Sequence, residues 1–238
     1  MPDTTAKCEF CGKPLDPRSV EFAGKSFLVG FASCDCPQAV AKADAEAKAD
    51  DERKRQAEID AFYRRLEQAG VPKRYLRSTH PLEKQLAAKV DQGQSLYIHG
   101  DNGTLKTTLA SAIVRNLVYR GKRVLMANSV DMLIEVQSTY GTPNAEADVL
   151  SKYGGAPYLV IDDLGKEQQT AWTASRLYAV LNARYNAMLP TVITSNFRVS
   201  EIASRMSGCD ESTAKAIASR LAGMCEAIAT GGEDRRLS

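Results

Sequence analysis

The chain has 238 residues, 44% of them apolar and 25% charged, which is ordinary globular composition and enough for one substantial core plus a small module. Its formal net charge of +2 neither demands nor excludes nucleic acid, since a local basic face would serve. No apolar stretch approaches the ~20 residues of a membrane-spanning helix and the N-terminus has no signal-peptide apolar region, so no membrane partner is expected and the chain should stay in the cytoplasm.

Four of the six cysteines fall in the N-terminal segment, as Cys8-x-x-Cys11 and Cys34-x-Cys36. The segment has Gly12 and Pro14 after the first pair, Pro37 after the second, and too few apolar residues to fold alone. Four thiolates on Zn²⁺ would supply the missing stability, the alternative being reactive or incidental thiols. Residues 1–37 are therefore a candidate four-cysteine zinc-binding module, with Phe10, Phe22, Phe27 and Phe31 as its expected small core rather than a base-stacking platform. Cys209 and Cys225 stand apart and are expected to be buried or half-buried.

Residues 38–69 are rich in Ala, Lys, Glu, Asp, Arg and Gln with no Pro or Gly, and their charges alternate in sign. This composition predicts a solvated linker helix laced by i,i+4 pairs, ended by Gly70 and Pro72. Only Ile59, Phe62 and Leu66 form an apolar stripe, where the helix should dock on the next domain.

From residue 70 to 238 apolar strands alternate with amphipathic helices, which predicts an α/β domain with a mainly parallel sheet. The stretch SLYIHGDNGTLKTT, residues 95–108, is an apolar strand running into a glycine turn that ends in Lys-Thr and opens a helix. Gly100 and Gly103 would let backbone N–H groups close on phosphate oxygens, Lys106 would reach the outer phosphates and the Thr107 hydroxyl would meet Mg²⁺. Asp101, Asn102, Thr104, Leu105 and Thr108 complete the loop. Leu105 stands where the G-x-x-x-x-G-K-[ST] spacing calls for its last glycine, and its branched side chain would have to point away or widen the cradle. Weak nucleotide affinity and slow turnover are expected from that departure.

A helix is predicted over 107–120, with Leu109, Ile113 and Leu117 on one face and Gly121 as its stop, then a strand over 123–127 and a helix over 130–140. A mobile polar insert over 141–144 and a helix over 146–153 lead to YLVIDDLG, residues 158–165, an apolar run ending in two carboxylates. Asp162 would hold the Mg²⁺ water shell and Asp163 would orient or deprotonate the attacking water. A long helix over 170–188, with Leu177, Val180, Leu181 and Tyr185 inward, precedes the strand 191–193. That strand ends in Thr194-Ser195-Asn196, a polar tip where a γ-phosphate could be sensed. Helices over 199–206 and 210–224, a possible strand over 226–230 and a basic tail close the chain. Singly, a glycine turn is also a plain βα connection, two Asp also cap helices, and an Asn is also a turn residue. Their order and spacing together favour nucleotide binding, which in turn favours a reducing compartment.

With these residues in view, the chain from about 69 to 237 resembles the AAA+ ATPases of the DnaC/DnaI helicase-loader type, which include the IstB transposition ATPases. The marks are AGVPKRY at 69–75, YLVIDDLG, LYAVLNARY at 177–185, TVITSN at 191–196, and SRL at 219–221. The N-terminal cysteine cluster joined to a charged helix is similar to loader-type proteins of phages and mobile elements. The resemblance implies an AAA+ P-loop NTPase fold, ATP and Mg²⁺ on Lys106, Thr107 and Asp162, and Asp163 at the catalytic-acid position. It also implies Asn196 as the first sensor and Arg220 as an arginine finger reaching into a neighbouring subunit, hence self-association. Residues 71–75 correspond to the segment beside adenine, and Arg235 and Arg236 to a terminal basic motif.

The function expected is an ATP-dependent loader that grips a replicative helicase through its zinc module and binds single-stranded DNA during DNA replication. DNA contact is expected on Lys73, Arg74 and Arg77 or on the interior of an ATPase ring. The alternatives are an IstB-like ATPase regulating transposition and a zinc-containing adapter whose ATPase site has decayed.

Overall fold

The structure, a computed structural model, describes residues 6–22, 24–142, 145–206 and 210–231. Arg235, Arg236, Cys209 and the end of the insert at Asn144 lie outside the described residues. The chain divides into two compact units, residues 1–61 and 62–238.

The first unit begins with β1 (Ala6–Lys7) and β2 (Pro14–Leu15), a minimal antiparallel pair around the Cys8–Cys11 turn. Next comes a hairpin of β3 (Pro17–Phe22) and β4 (Lys25–Phe31), with a bulge between Arg18 and Ser19. The expected phenylalanine core is not there: Phe22 is 75% exposed and Phe27 51%, with Phe10 also at the surface. A lone two-stranded hairpin has no second layer to bury its apolar face, so those rings stay outside. Helix α1 (Pro37–Gln68) carries no buried side chain until Leu66, as a helix with charge all round its circumference should. Ile59 is exposed, and the docking stripe is instead Phe62, Tyr63 and Leu66, all within the second unit.

In the second unit a single 3₁₀ turn (Lys73–Tyr75) leads to α2 (Glu83–Asp91), a helix that the sequence pattern does not announce, then β5 (Ser95–His99) and α3 (Lys106–Tyr119). The chain continues through β6 (Val124–Asn128), α4 (Ser129–Gln137), α5 (Ala145–Gly154) and β7 (Tyr158–Leu164). It ends with α6 (Ala171–Asn186), β8 (Thr191–Ser195), α7 (Val199–Met206), α8 (Glu211–Met224) and β9 (Cys225–Ala229). The five strands β5–β9 form one parallel sheet in the order β6-β7-β8-β5-β9.

The strands are apolar on both faces because both faces are covered. Leu96, Ile98, Val160 and Val192 pack with Leu66, α2 and α3 on one side. Tyr97, Leu159, Ile161 and Ile193 pack with α4 to α8 on the other. Tyr185, expected inward, lies at the surface, 39% exposed, under the guanidinium of Arg220. Gly70 is needed where it stands, since a β-carbon there would lie 2.0 Å from the carbonyl oxygen of Met126. The segment after α1 is thereby pressed against β6, and the Ala69 carbonyl accepts from the Met126 N–H at 2.6 Å.

Candidate functional site

The sheet order inserts β8 between the glycine-loop strand β5 and the acid-bearing strand β7. All three strands therefore end on one side, and their ends surround a cavity of about 160 Å³ lined by the loop from Asn102 to Thr108 together with Asp163, Lys166 and Asn196. A larger cavity of about 520 Å³ adjoins it, walled by Thr107, Asp162, Asp163 and Lys166 and by Gly70, Pro72 and Asn128. Arg74 and Tyr75 line both. Arg74, expected on a DNA contact, thus faces the cavities that residues 71–75 were expected to border.

The loop is tight. A β-carbon on Gly100 would lie 2.1 Å from the Thr230 carbonyl oxygen at the end of β9, and Thr104 and Thr230 share a hydroxyl contact of 2.9 Å. Gly103 has φ +78°. Leu105 takes φ +61°, ψ +23°, so the left-handed turn that a glycine would make is made here by a leucine, and the cradle is not widened by a change of backbone. No side chain caps the start of α3, and the first turn of a helix is where an anion is favoured. Lys106 is buried beneath the loop, its Nζ donating to the carbonyls of Gly100 at 2.8 Å and Asp101 at 2.7 Å.

One hydrogen-bonded chain ties α3, β7 and β8. The Thr107 hydroxyl donates to both Asp162 carboxylate oxygens at 3.1 and 3.0 Å, and the Thr194 hydroxyl donates to Asp162 Oδ1 at 2.5 Å. The Asp163 N–H donates to Thr194 Oγ1 at 2.9 Å. Burial, aided by the neighbouring Asp163 charge, pushes the Asp162 carboxyl above its ordinary range. Asp163 itself sits at φ +60° in a register break of β7, and its carboxylate pairs with Lys166 at 2.7 Å. Asn196 Nδ2 donates to Asn102 Oδ1 at 3.0 Å across the mouth, while Asn196 Oδ1 is buried with no partner.

Thr194 and Lys166 are residues that motif spacing passes over. Thr194 is visible in the sequence only as one of three polar residues ending a strand, and Lys166 only as a charge after the acidic pair. Beneath them the buried Glu167 accepts from the Ser129 hydroxyl at 2.9 Å and the Gly165 N–H at 2.9 Å, and Ser129 also donates to the Asp163 carbonyl. This clasp fixes the backbone just beyond the two acids.

The residues present suit a nucleoside triphosphate with a divalent cation. An uncapped helix start, a glycine-tight loop, a buried lysine and a hydroxyl-carboxylate pair supply anion and cation contacts across two adjoining cavities that share Thr107. Arg220 lines neither cavity: its Nε donates to Asn182 Oδ1 at 3.0 Å and its guanidinium lies 4.7 Å from the Tyr185 ring centroid.

In the first unit the four thiols converge. The Sγ atoms of Cys8, Cys11, Cys34 and Cys36 all lie within 4.8 Å of one another, with Cys8 to Cys36 at 3.8 Å and Cys11 to Cys34 at 3.4 Å. Tetrahedral thiolates on Zn²⁺ would stand roughly 3.8 Å apart, so the set can close on one ion. The backbone N–H groups of Cys11 and Phe10 bring the Cys8 thiol down to about 7, favouring the thiolate a metal needs.

An inserted strand whose polar tip steadies the acid of its neighbour defines this domain as an AAA+ P-loop nucleotide-binding fold. A solved structure of DnaI superposes with a TM-score of 0.58 at 23% identity, covering 69% of this chain and 94% of that one, a likeness that shows the fold. The chain belongs to the family of IstB-like ATP binding proteins, whose model matches residues 56–238. Among curated relatives, the replicative helicase loader DnaI of Bacillus subtilis is 26% identical over 151 residues, 61% of this chain and 48% of that protein. A putative ATP-binding protein in an insertion sequence of Mycobacterium tuberculosis is 29% identical over 107 residues, 45% of this chain and 42% of that protein. The chain thus aligns with about half the length of the curated relatives it matches. Among the described residues no helix is long and apolar enough to cross a membrane.

Proposed function

We propose that the chain is an ATP-dependent replicative helicase loader, binding ATP with Mg²⁺ and single-stranded DNA and attaching to its helicase through the four-cysteine unit. The observation that carries this is a phosphate cavity with its threonine and carboxylate already paired, in one chain with a separate cluster of four thiols. Lys106, now on two loop carbonyls, would bind the outer phosphates, and Thr107 and Asp162 would hold Mg²⁺. The cation supplies charge neutralisation at the phosphates. Asp163 orients or deprotonates the attacking water, and the partnerless oxygen and amide of Asn196 sense the γ-phosphate. Arg220 leaves Asn182 for the cavity of a neighbouring copy, which makes self-association part of hydrolysis. Cys8, Cys11, Cys34 and Cys36 hold Zn²⁺.

A second reading, an ATPase that directs a transposase on duplex DNA, is favoured by the relative from an insertion sequence. Co-purification with candidate partners decides: a stable complex with a hexameric helicase supports loading, and duplex-bound assemblies that recruit a transposase replace it. An adapter with a decayed site is disfavoured by the left-handed turn retained at Leu105. Failure of Mg-ATP at millimolar concentration to raise the melting temperature would restore it.

A further inference from the structure

A second cationic hollow lies at the other end of the sheet, where β6 begins. A cavity of about 300 Å³ opens between the last turn of α1 and the turn joining α3 to β6, with Arg65, Lys122 and Arg123 in its wall and no carboxylate. Of these cations Lys122 pairs with Asp91 at 2.7 Å, an acid that Arg120 also engages at 3.3 Å. Among the described residues neither Arg65 nor Arg123 has a carboxylate partner. Arg65 links the hollow to two aromatic rings outside its wall: its guanidinium lies over Phe62 at 5.8 Å, and Phe62 meets Tyr119, the last residue of α3 and 80% exposed, edge to face at 6.1 Å.

We propose that this surface binds single-stranded nucleic acid, with Arg65 and Arg123 on the backbone phosphates and Tyr119 stacked on a base. The inference rests on the single-strand reading under Proposed function and assigns it a site away from Lys73 and Arg74. Guanidinium groups without acids attract phosphates, and an almost fully exposed ring next to them offers the sequence-tolerant stacking by which unpaired bases are held. A duplex hides its base faces, so it would use the arginines and leave Tyr119 idle. An acidic peptide would use the arginines alone. Because β6 starts at this hollow and ends at Asn128, beside the phosphate cavity, the two ligands need not compete.

The test is fluorescence anisotropy of the full chain with a labelled oligothymidine at about 50 and about 200 mM salt, alongside binding of a fluorescent ATP analogue. Tyr119→Ala and Arg123→Glu are each expected to weaken the oligonucleotide about tenfold, and Tyr119→Phe to retain it. Arg123→Glu should also lower the salt slope by about 0.7, and every variant should bind the ATP analogue as the parent does. If Tyr119→Ala and Arg123→Glu bind normally while Lys73→Glu or Arg77→Glu does not, the site is elsewhere and the single-strand reading stands. If the parent binds no oligonucleotide, that reading falls and the site with it. A duplex of equal length bound as tightly, with no loss in Tyr119→Ala, overturns the stacking assignment.

Discussion

Replacing Leu105 separates backbone strain from side-chain bulk. Its φ of +61° holds an L-residue in the left-handed region, at a cost of ~1–2 kcal/mol. Leu105→Ala keeps the β-carbon and therefore the strain. Leu105→Gly removes it but gives the unfolded chain ~0.5–1 kcal/mol more conformational entropy to lose. Subtraction leaves the Gly variant roughly 0.5–1 kcal/mol more stable than the Ala variant, a melting temperature about 1–4 °C higher for a domain of this size. At an ordinary helical or extended position the order is the reverse, so the sign alone is diagnostic. Both variants also remove the branched end of the Leu105 side chain, which lines a cavity of about 160 Å³. Calorimetric ATP affinity should therefore rise in both, and by less than about tenfold, because the backbone already has the phosphate-binding turn. An Ala variant melting above the Gly variant would refute the strained turn. No gain of affinity in either would refute the obstruction, and a gain confined to Gly would show that the backbone was not in place.

Asp163→Asn should abolish most ATP hydrolysis, by ~10²–10⁴-fold in a phosphate-release assay, while fluorescent-analogue affinity stays within about threefold. Cys11→Ser should take zinc content, read by elemental analysis, from one ion per chain to none, and the first unit should become protease-sensitive while the second stays resistant. Glu83 supplies a pH test: burial raises its carboxyl, but the His80 N–H, the Asn116 amide and the Arg115 guanidinium outweigh burial and hold it below its usual range. A depressed folded value means its stabilisation is complete above the unfolded value of about 4.3 and is lost as pH falls through the folded one. Glu83→Gln should therefore lower the melting temperature at pH 7, by ~1–3 kcal/mol of stability, and the gap from the parent should close as pH falls through the depressed folded value.

What was legible in the sequence was what is local. Strands buried on both faces announce themselves as apolar runs, and the glycine turn, Lys106, Thr107 and the two acids carry their chemistry in adjacent residues. Features made by distant partners were not legible. Helix α2 has only Leu86, Ala87 and Val90 as apolar anchors, and its Glu83 is bonded to Arg115 and Asn116 far along the chain. Arg184 looks like a surface position on α6, yet it is fully buried, donating to the carbonyls of Tyr153, Ala156 and Pro190 and to the Thr191 hydroxyl. Its charge satisfies carbonyls at and just beyond the C-terminal end of α5, where a cation is favoured, and no spacing rule joins those residues beforehand. The hairpin phenylalanines mislead for the opposite reason: composition says core, but two strands cannot make one.

The placement of charges along the sheet bears on how its ligands could influence one another. Strand β6 pairs with β7 residue for residue, from Val124 on Tyr158 to Asn128 on Asp162. One end of this pair carries Tyr158, bonded to Asp91 and covered by Lys122 beside the basic hollow. The other end carries Asp162, with Ser129 holding the Asp163 carbonyl. The pair is unbroken along this length, whereas coupling between sites requires an element with two arrangements. The contacts that do have alternatives are Lys106 on its carbonyls, Lys166 on Asp163 and Asn102 on Asn196, and all three sit at the cavity. None of these contacts involves a residue of β6. Within one chain the nucleotide and the nucleic acid would therefore bind independently. Communication between them would enter only with a neighbouring copy, through a residue such as Arg220 that has one set of partners on its own chain and another across the interface.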